Sequence, residues 1–309
     1  MSKTPCLMLL IRTAVLLVVL LPAGCDSQPS DERPLVLTTI GMIADVTSRI
    51  ATDHVRVEAL MGPGVDPHLY KTSEGDIRRL SRATLVLFNG LHLEGKMADV
   101  LGKMGRERPV VAVTDAIPRE ALRAPPEFAG QYDPHVWFDV SLWSLTVERI
   151  AAELQKIDPP HATDIAANAA ALRSELEALD QWVTQRIAEI PENRRVLVTA
   201  HDAFGYFGRR YGIEVVGLQG ISTVAEAGIQ DVERLVELIV RRRVPAIFVE
   251  SSVPRRAIEA VQSACRARGH EVAIGGQLFS DAMGAAGTPE GTYAGMVRYN
   301  VNTIVEALK

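Results

Sequence analysis

Aromatic side chains are scarce in this chain: Phe, Trp and Tyr together make up 5% of its 309 residues. That is too few to offer a stacking surface for nucleobases or sugar rings. Positive charge is short as well. Lys and Arg number 33 against 38 Asp and Glu, a formal net charge of −5. Residues 1–24 hold Lys3 and Arg12 and no acid, so the remainder stands at −5 − 2 = −7. An acidic body argues against nucleic acid and against broad electrostatic adsorption to membranes, and it suits a cationic ligand. Cysteine is limited to Cys6, Cys25 and Cys265. No disulfide framework follows from them, so the fold rests on its core. At 47% hydrophobic, the chain is long enough to build two domains. Cys265, inside AIEAVQSACRARG, has the place of a small buried helical residue. Long apolar runs are missing too: residues 13–21 form an uninterrupted one, too short to span a bilayer.

That run follows a short basic start and reads as the centre of an export signal, residues 1–24, and not as part of the fold. The signal ends on Pro22-Ala23-Gly24-Cys25, which resembles a bacterial lipoprotein box, with Pro22 where an aliphatic residue is usual. The resemblance implies lipidation of Cys25, a lipid-anchored tether over residues 25–33, and a periplasmic or cell-surface protein. It would touch the membrane only through that anchor. Asp26, on the same resemblance, implies retention at the inner membrane of a Gram-negative cell. A plain signal peptide with a free Cys25 is the other reading.

Beyond the tether the text alternates strand and helix. Residues 34–40, 55–61, 85–90 and 110–115 are short, apolar and rich in Val or Leu, as buried parallel strands are. Residues 195–200, 214–219, 246–252 and 271–276 repeat the rhythm. Residues 44–52 and 76–83 are helical, and Val232, Leu235, Val236 and Ile239 mark an amphipathic helix before the third strand of the second set. The expected fold is α/β: two βα lobes, each with a mainly parallel four-stranded sheet, over residues 34–158 and 192–309. Between them, residues 139–157 are helical and Asp158-Pro159-Pro160 breaks the pattern. Residues 161–190 then run without Gly or Pro. An apolar stripe through Ile165, Ala169, Leu172, Leu176, Leu179, Val183, Ile187 and Ile190 predicts one long helix, and Pro191 stops it. The connector, residues 159–191, is thus a rigid strut and predicts small lobe motion.

One tripeptide occurs twice: Asp66-Pro67-His68 and Asp133-Pro134-His135. Proline fixes its own φ and holds the preceding Asp extended, so each His sits on a stiffened loop. His68 follows the second strand and His135 the fourth. His201 follows the first strand of the second set, and Asp281 lies just beyond the last. In open α/β sheets ligands bind outside the carboxyl ends of strands, and all four residues stand there, two from each lobe. Three imidazoles and a carboxylate are a donor set for Zn²⁺. With four protein ligands, no open position is left for a water nucleophile, which argues for holding a metal and against catalysis. The Asp of each Asp-Pro-His can accept a hydrogen bond beside the ligand loop. The spacings of 67, 66 and 80 residues match no short metal motif, so spacing alone leaves a plain loop reading open.

The segments GMIADVTSRI, ALMGPGVDPHLY, FNGLHLEGKM, YDPHVWFDVSLWS, RVLVTAHDAFGYFGRRYGIEV, GLQGISTVAEAG, AIFVESSVP and GGQLFSDAMG together resemble the zinc- and manganese-binding lipoproteins of metal ABC importers. The resemblance runs from about Leu35 to Lys309. It implies an extracytoplasmic solute-binding protein, monomeric, that delivers Zn²⁺ or Mn²⁺ to a membrane permease with a cytoplasmic ATPase. It also implies a metal held in the interlobe cleft by His68, His135, His201 and Asp281. Manganese-type members tend to carry Glu at the third position, whereas this chain has His201. Zinc-dedicated members often carry a His-rich loop where residues 118–132 hold no His, so the chain stands between the subtypes. The donor set favours Zn²⁺ over Mn²⁺ in intrinsic affinity.

Supporting residues are expected in Glu250, which ends the strand over 246–252 and points toward the same cleft end, and more weakly in Glu226 and Asn89. Trp137, Trp143 and Phe204 read as core walls. His92 reads as structural or near the cleft, His54 and His270 as exposed turn residues, and His161 as a surface residue. The Arg241–Arg243 run reads as a solvated helix end. Two other functions compete: a zinc hydrolase using His68, His135 and His201 with Glu250 as base, and a surface adhesin.

Overall fold

The computed structural model describes residues 32–128 and 130–309; the expected export signal, Cys25 and most of the expected tether lie outside them. In the first half, β1 (Leu35–Thr38), β2 (Arg56–Ala59), β3 (Leu85–Phe88) and β4 (Val110–Ala112) form one parallel sheet in the order β2-β1-β3-β4. The strands are shorter than the apolar text that encodes them. Their carboxyl ends leave the ladder early and become the loops that carry the polar residues. The helices are α1 (Gly41–Ala51), α2 (Glu74–Arg82), α3 (Ala98–Met104) and α4 (Val140–Ile157). Ser73 and Asp76 start α2 with a reciprocal capping box. Asp139 starts α4 by accepting from the backbone N–H groups of Ser141 and Leu142.

The long helix is α5 (Ala162–Ile187), 26 residues and hence about 39 Å. It falls one residue short of the 161–190 run at its start and three residues short at its end. Pro159 and Pro160 hold the entry as a 3-10 turn, Pro159–His161. At the exit the last residues before Pro191 leave the helix, as the residue preceding a proline must. Ile165, Ala169, Leu172, Leu176, Leu179, Val183 and Ile187 are all buried, as the stripe requires.

The second half holds β5 (Val196–His201), β6 (Glu214–Gln219), β7 (Ala246–Glu250) and β8 (Ala273–Leu278), with α6 (Gly205–Tyr211), α7 (Ile229–Arg242), α8 (Arg256–Ala267) and α9 (Tyr293–Leu308). The strands are parallel, but they hydrogen-bond as two pairs, β5-β6 and β7-β8, with β5 packed beside β7. Between Ile247 and Phe248 the register slips by one, and Gly275 is the extra residue on β8. A Cβ on Gly275 would lie 2.7 Å from Ala307 and 2.8 Å from the Phe248 ring, so only glycine lets α9 settle on this strand.

The helix α5 packs against α1 and α4 of the first half and α6 and α9 of the second. The last helix also reaches across: the Tyr293 backbone N–H donates to Asp45 on α1 at 3.1 Å. One core runs from the first sheet through α5 to α9, and a smaller one lies among β5–β8, α7 and α8, with Cys265 in it.

Candidate metal centre

Four loops or strand ends converge where the two halves face each other. His68 leaves β2 on a loop that Asp66 folds back on itself: the Asp66 carboxylate accepts from the His68 N–H at 2.8 Å. Asp133 does the same for the His135 N–H at 3.0 Å, and its Oδ1 also meets His135 Nδ1 at 2.8 Å. So the repeated Asp-Pro-His is one device used twice. Its Asp fixes the backbone in both copies, and in the second it also fixes the ring. His201 is the last residue of β5. Glu250, the last of β7, accepts from both the His201 N–H (2.9 Å) and Nδ1 (2.5 Å). Asp281 stands three residues beyond β8.

The outer nitrogens and the carboxylate then point at one another. His68 Nε2 and His135 Nε2 are 3.3 Å apart. Asp281 lies 3.3 Å from His135 Nε2, 3.3 Å from His201 Nε2 and 4.0 Å from His68 Nε2. The three ring centroids are separated by 5.3, 6.0 and 5.3 Å. All four side chains are buried, the most exposed at 3%. His201 Nε2 and both Asp281 oxygens have no hydrogen-bond partner among the described residues. Buried polar atoms left in that state cost several kcal/mol together, which an ion between them would relieve.

Charge follows the same geometry. Burial dominates at His68 and pushes its imidazole down to about 3, so it stays neutral. Burial also opposes a charge on His135, but Asp133 and Asp281 outweigh it and lift the ring to about 9. Burial is again overcome at His201, where Glu250 and Asp281 raise it well above the usual imidazole range. Asp281 is held well below the usual carboxylate range: burial works against its charge and the flanking His201 and His135 overcome it. The pocket therefore keeps its carboxylate ionised and attracts positive charge.

The walls are hydrogen-bonded in turn. Trp137 packs edge-on to His135 at 5.3 Å and its indole N–H donates to the Ser280 carbonyl beside Asp281. Asn89 donates to the Pro134 carbonyl at 3.0 Å, steadying the second Asp-Pro-His loop. Tyr206 donates to the Asp133 carbonyl, and Arg123 pairs with the Asp133 carboxylate. Thr223 Oγ1, from the second half, donates to Asp66 at 2.6 Å and closes the mouth of the cleft.

The structure brings together His68, His135, His201 and Asp281, with Glu250 behind His201 and Asn89 behind His135. It does not bring Glu226, which is exposed on the loop before α7. Trp137, Trp143 and Phe204 are fully buried walls. His92 instead lines a cavity of 1020 Å³ in the first half, with Arg106, Arg119 and Tyr132. None of the four clustered side chains lines that cavity. Glu94 escaped notice in the sequence. It is buried, accepts from Thr39 and from the N–H groups of Asn89 and Gly90, and so braces the loop that carries Asn89. Its signal was only an acid within the FNGLHLEGKM loop. Thr223 gave no signal at all.

Residues 36–307 match the family described as zinc-uptake complex component A, periplasmic. The chain is 48% identical to the manganese-binding lipoprotein MntA of Bacillus subtilis over 303 residues, 97% of this chain and 99% of the relative. It is 51% identical to the zinc-binding protein TroA of Treponema pallidum over 285 residues, 92% of each. The solved structure of the periplasmic zinc-binding protein TroA superposes with a TM-score of 0.87 at 52% identity, covering 89% of this chain and 99% of that one. The Fe(III)-bound YtgA structure from Chlamydia trachomatis superposes at 0.79 with 29% identity, covering 89% and 98%.

Proposed function

The chain belongs to the zinc-uptake complex component A family, and from that premise we propose that His68, His135, His201 and Asp281 hold one divalent ion between its two halves. The protein is the extracytoplasmic solute-binding component of a metal ABC importer. It captures Zn²⁺ or Mn²⁺ and hands it to a membrane permease worked by a cytoplasmic ATPase, from a lipid anchor at Cys25, as a monomer. The observation that carries this is the set of buried donors without partners: His201 Nε2 and both Asp281 oxygens face two more imidazole nitrogens, all within 4.0 Å of a neighbouring donor in the set.

The donor set fits the cargo. Imidazole nitrogen and carboxylate oxygen suit a first-row divalent ion, and the intrinsic order places Zn²⁺ above Mn²⁺. The second hydrogen bond on each of two ligand rings goes to a carboxylate, Asp133 or Glu250, the partner that orients metal-ligating histidines. A hydrolase reading finds less support. It needs a free general base, and both oxygens of Glu250 are already engaged by His201. It also needs an open coordination position with access to substrate, whereas all four ligands are buried and only Asp281 lines a neighbouring cavity of 290 Å³.

The test is stripping and reloading. Chelator-treated protein is expected to take up one equivalent of Zn²⁺ at the cleft, and His201→Ala to lose most of that affinity. Binding unchanged in His201→Ala and in Asp281→Ala alike would remove the cleft from consideration. In competition, Mn²⁺ displacing Zn²⁺ at equal concentration would reverse the proposed order.

A further inference from the structure

Far from the cleft in sequence terms, two histidines read as unconnected surface residues meet. His54 ends the 3-10 turn Thr52–His54 that follows α1, and His161 ends the turn that opens α5. Their rings stack with centroids 3.6 Å apart and planes 8° from parallel. Asp158, 10% exposed at the side chain, turns both oxygens onto His161 Nδ1, at 2.8 and 2.9 Å. One donor atom from each of His54, Asp158 and His161 lies within 4.8 Å of the others. Asp164 Oδ2 stands 3.8 Å from His54 Nε2.

We propose that His54, Asp158 and His161 form a second, shallower transition-metal site, separate from the cleft and built wholly from the first half and the start of α5. Two nitrogens and a carboxylate suit Zn²⁺, Ni²⁺ or Cu²⁺ and not the hard cations Mg²⁺ or Ca²⁺. His161 Nδ1 and Asp158 stand at hydrogen-bond distance, and a four-coordinate ion between them would open the pair by a few tenths of an ångström. The ion would replace the proton they now share. A shared ion must lie near the plane of each ligating ring, which stacked rings do not permit. His54, with its side chain 29% exposed, therefore has to swing out of the stack on binding. Three protein donors and partial exposure leave at least one position to water, so this site is weaker than the cleft. An ion held there would tie the end of α1 to the corner between α4 and α5.

Two features make the proposal testable without reference to transport. The binding event is independent of the cleft, and it is coupled to unstacking. The full mature chain, loaded with one equivalent of Zn²⁺, is titrated with further Zn²⁺ by calorimetry while imidazole resonances are followed by ¹⁵N NMR. A second equivalent is expected, with shifts at His54 and His161, and it should persist in His201→Ala protein. His54→Phe keeps a stacked ring but removes the donor; His161→Phe does the same on the other side. Each is expected to abolish the second equivalent and leave the first. Asp158→Asn, which preserves shape, is expected to weaken it at least tenfold. No second equivalent in the parent chain overturns the proposal. So does a second equivalent that survives in either Phe variant.

Discussion

Glu250→Gln alters a single atom of the support behind the cleft and should disable it out of proportion. The parent carboxylate accepts twice from His201, from the backbone N–H at 2.9 Å and from Nδ1–H at 2.5 Å. That pattern keeps a proton on Nδ1, so the proton an ion displaces from this ring is the one on Nε2, facing Asp281. A glutamine has one acceptor and one donor. The backbone N–H cannot change role, so it claims the amide oxygen. The amide NH₂ then faces Nδ1 and demands an acceptor there. The imidazole answers by moving its proton to Nε2, where it blocks the ion. The alternative orientation sets the NH₂ against the backbone N–H in a fully buried place. Either way the cost falls on binding. Partners of this kind are worth roughly 10–100-fold in metal affinity, about 1.4–2.7 kcal/mol. Competition against a fluorescent zinc chelator reads the loss directly, and Glu226→Gln on its exposed loop is the control. Glu250→Gln binding Zn²⁺ within twofold of the parent would show that the ring does not need this partner to present Nε2, and the tautomer logic would fail.

Other perturbations follow from the same contacts. Thr223→Val removes the hydroxyl that crosses the cleft to Asp66; a charged hydrogen bond of about 1.5 kcal/mol is lost, so ion dissociation in stopped-flow chelator chase should quicken about tenfold. Gly217→Ala would put a Cβ 2.5 Å from the Asp202 nitrogen and 2.7 Å from the His201 carbonyl carbon, so β6 must shift and carry His201 with it; lower Tm and weaker Zn²⁺ binding are expected together, and an unchanged affinity would contradict the close approach. Protons compete with the ion: His135 is lifted to about 9, so at neutral pH the ion must displace a proton there. Zn²⁺ affinity should therefore rise with pH up to about 9, and calorimetry in buffers of different ionisation enthalpy should report proton release; pH-independent affinity between 6 and 8 would refute it. Saturating Zn²⁺ at about 100 times its dissociation constant should add about 2.7 kcal/mol of stability, seen as a raised Tm that Asp281→Ala does not share.

Much of the centre was legible because strand-end placement is a topological rule and needs no knowledge of distances. His68, His135, His201, Asp281 and Glu250 all stand where βα alternation sends its loops, and Asp-Pro-His announced itself by repetition. The long helix was legible from its stripe, but its ends were not: prolines act on the residues before them, and the apolar period runs on regardless. The register slip between β7 and β8 was hidden because Gly275 reads as an ordinary strand residue until α9 presses on it. Thr223 and Glu94 act through single hydrogen bonds to distant backbone or carboxylate, and no local pattern encodes such a partner. The stack of His54 on His161 was invisible for the same reason: two loops distant in sequence are brought together by the packing of α1 against α5.

The bracing of the molecule carries one more implication. Because α5 and α9 each touch both halves, no single joint among the described residues lets the cleft gape. Unloading must then begin as a local loosening at the rim, around the Thr223 segment, while the frame stays still. A carrier so built gives up its cargo at a tempo set by that rim, and two variants with equal equilibrium affinity can still differ widely in how fast they supply a cell.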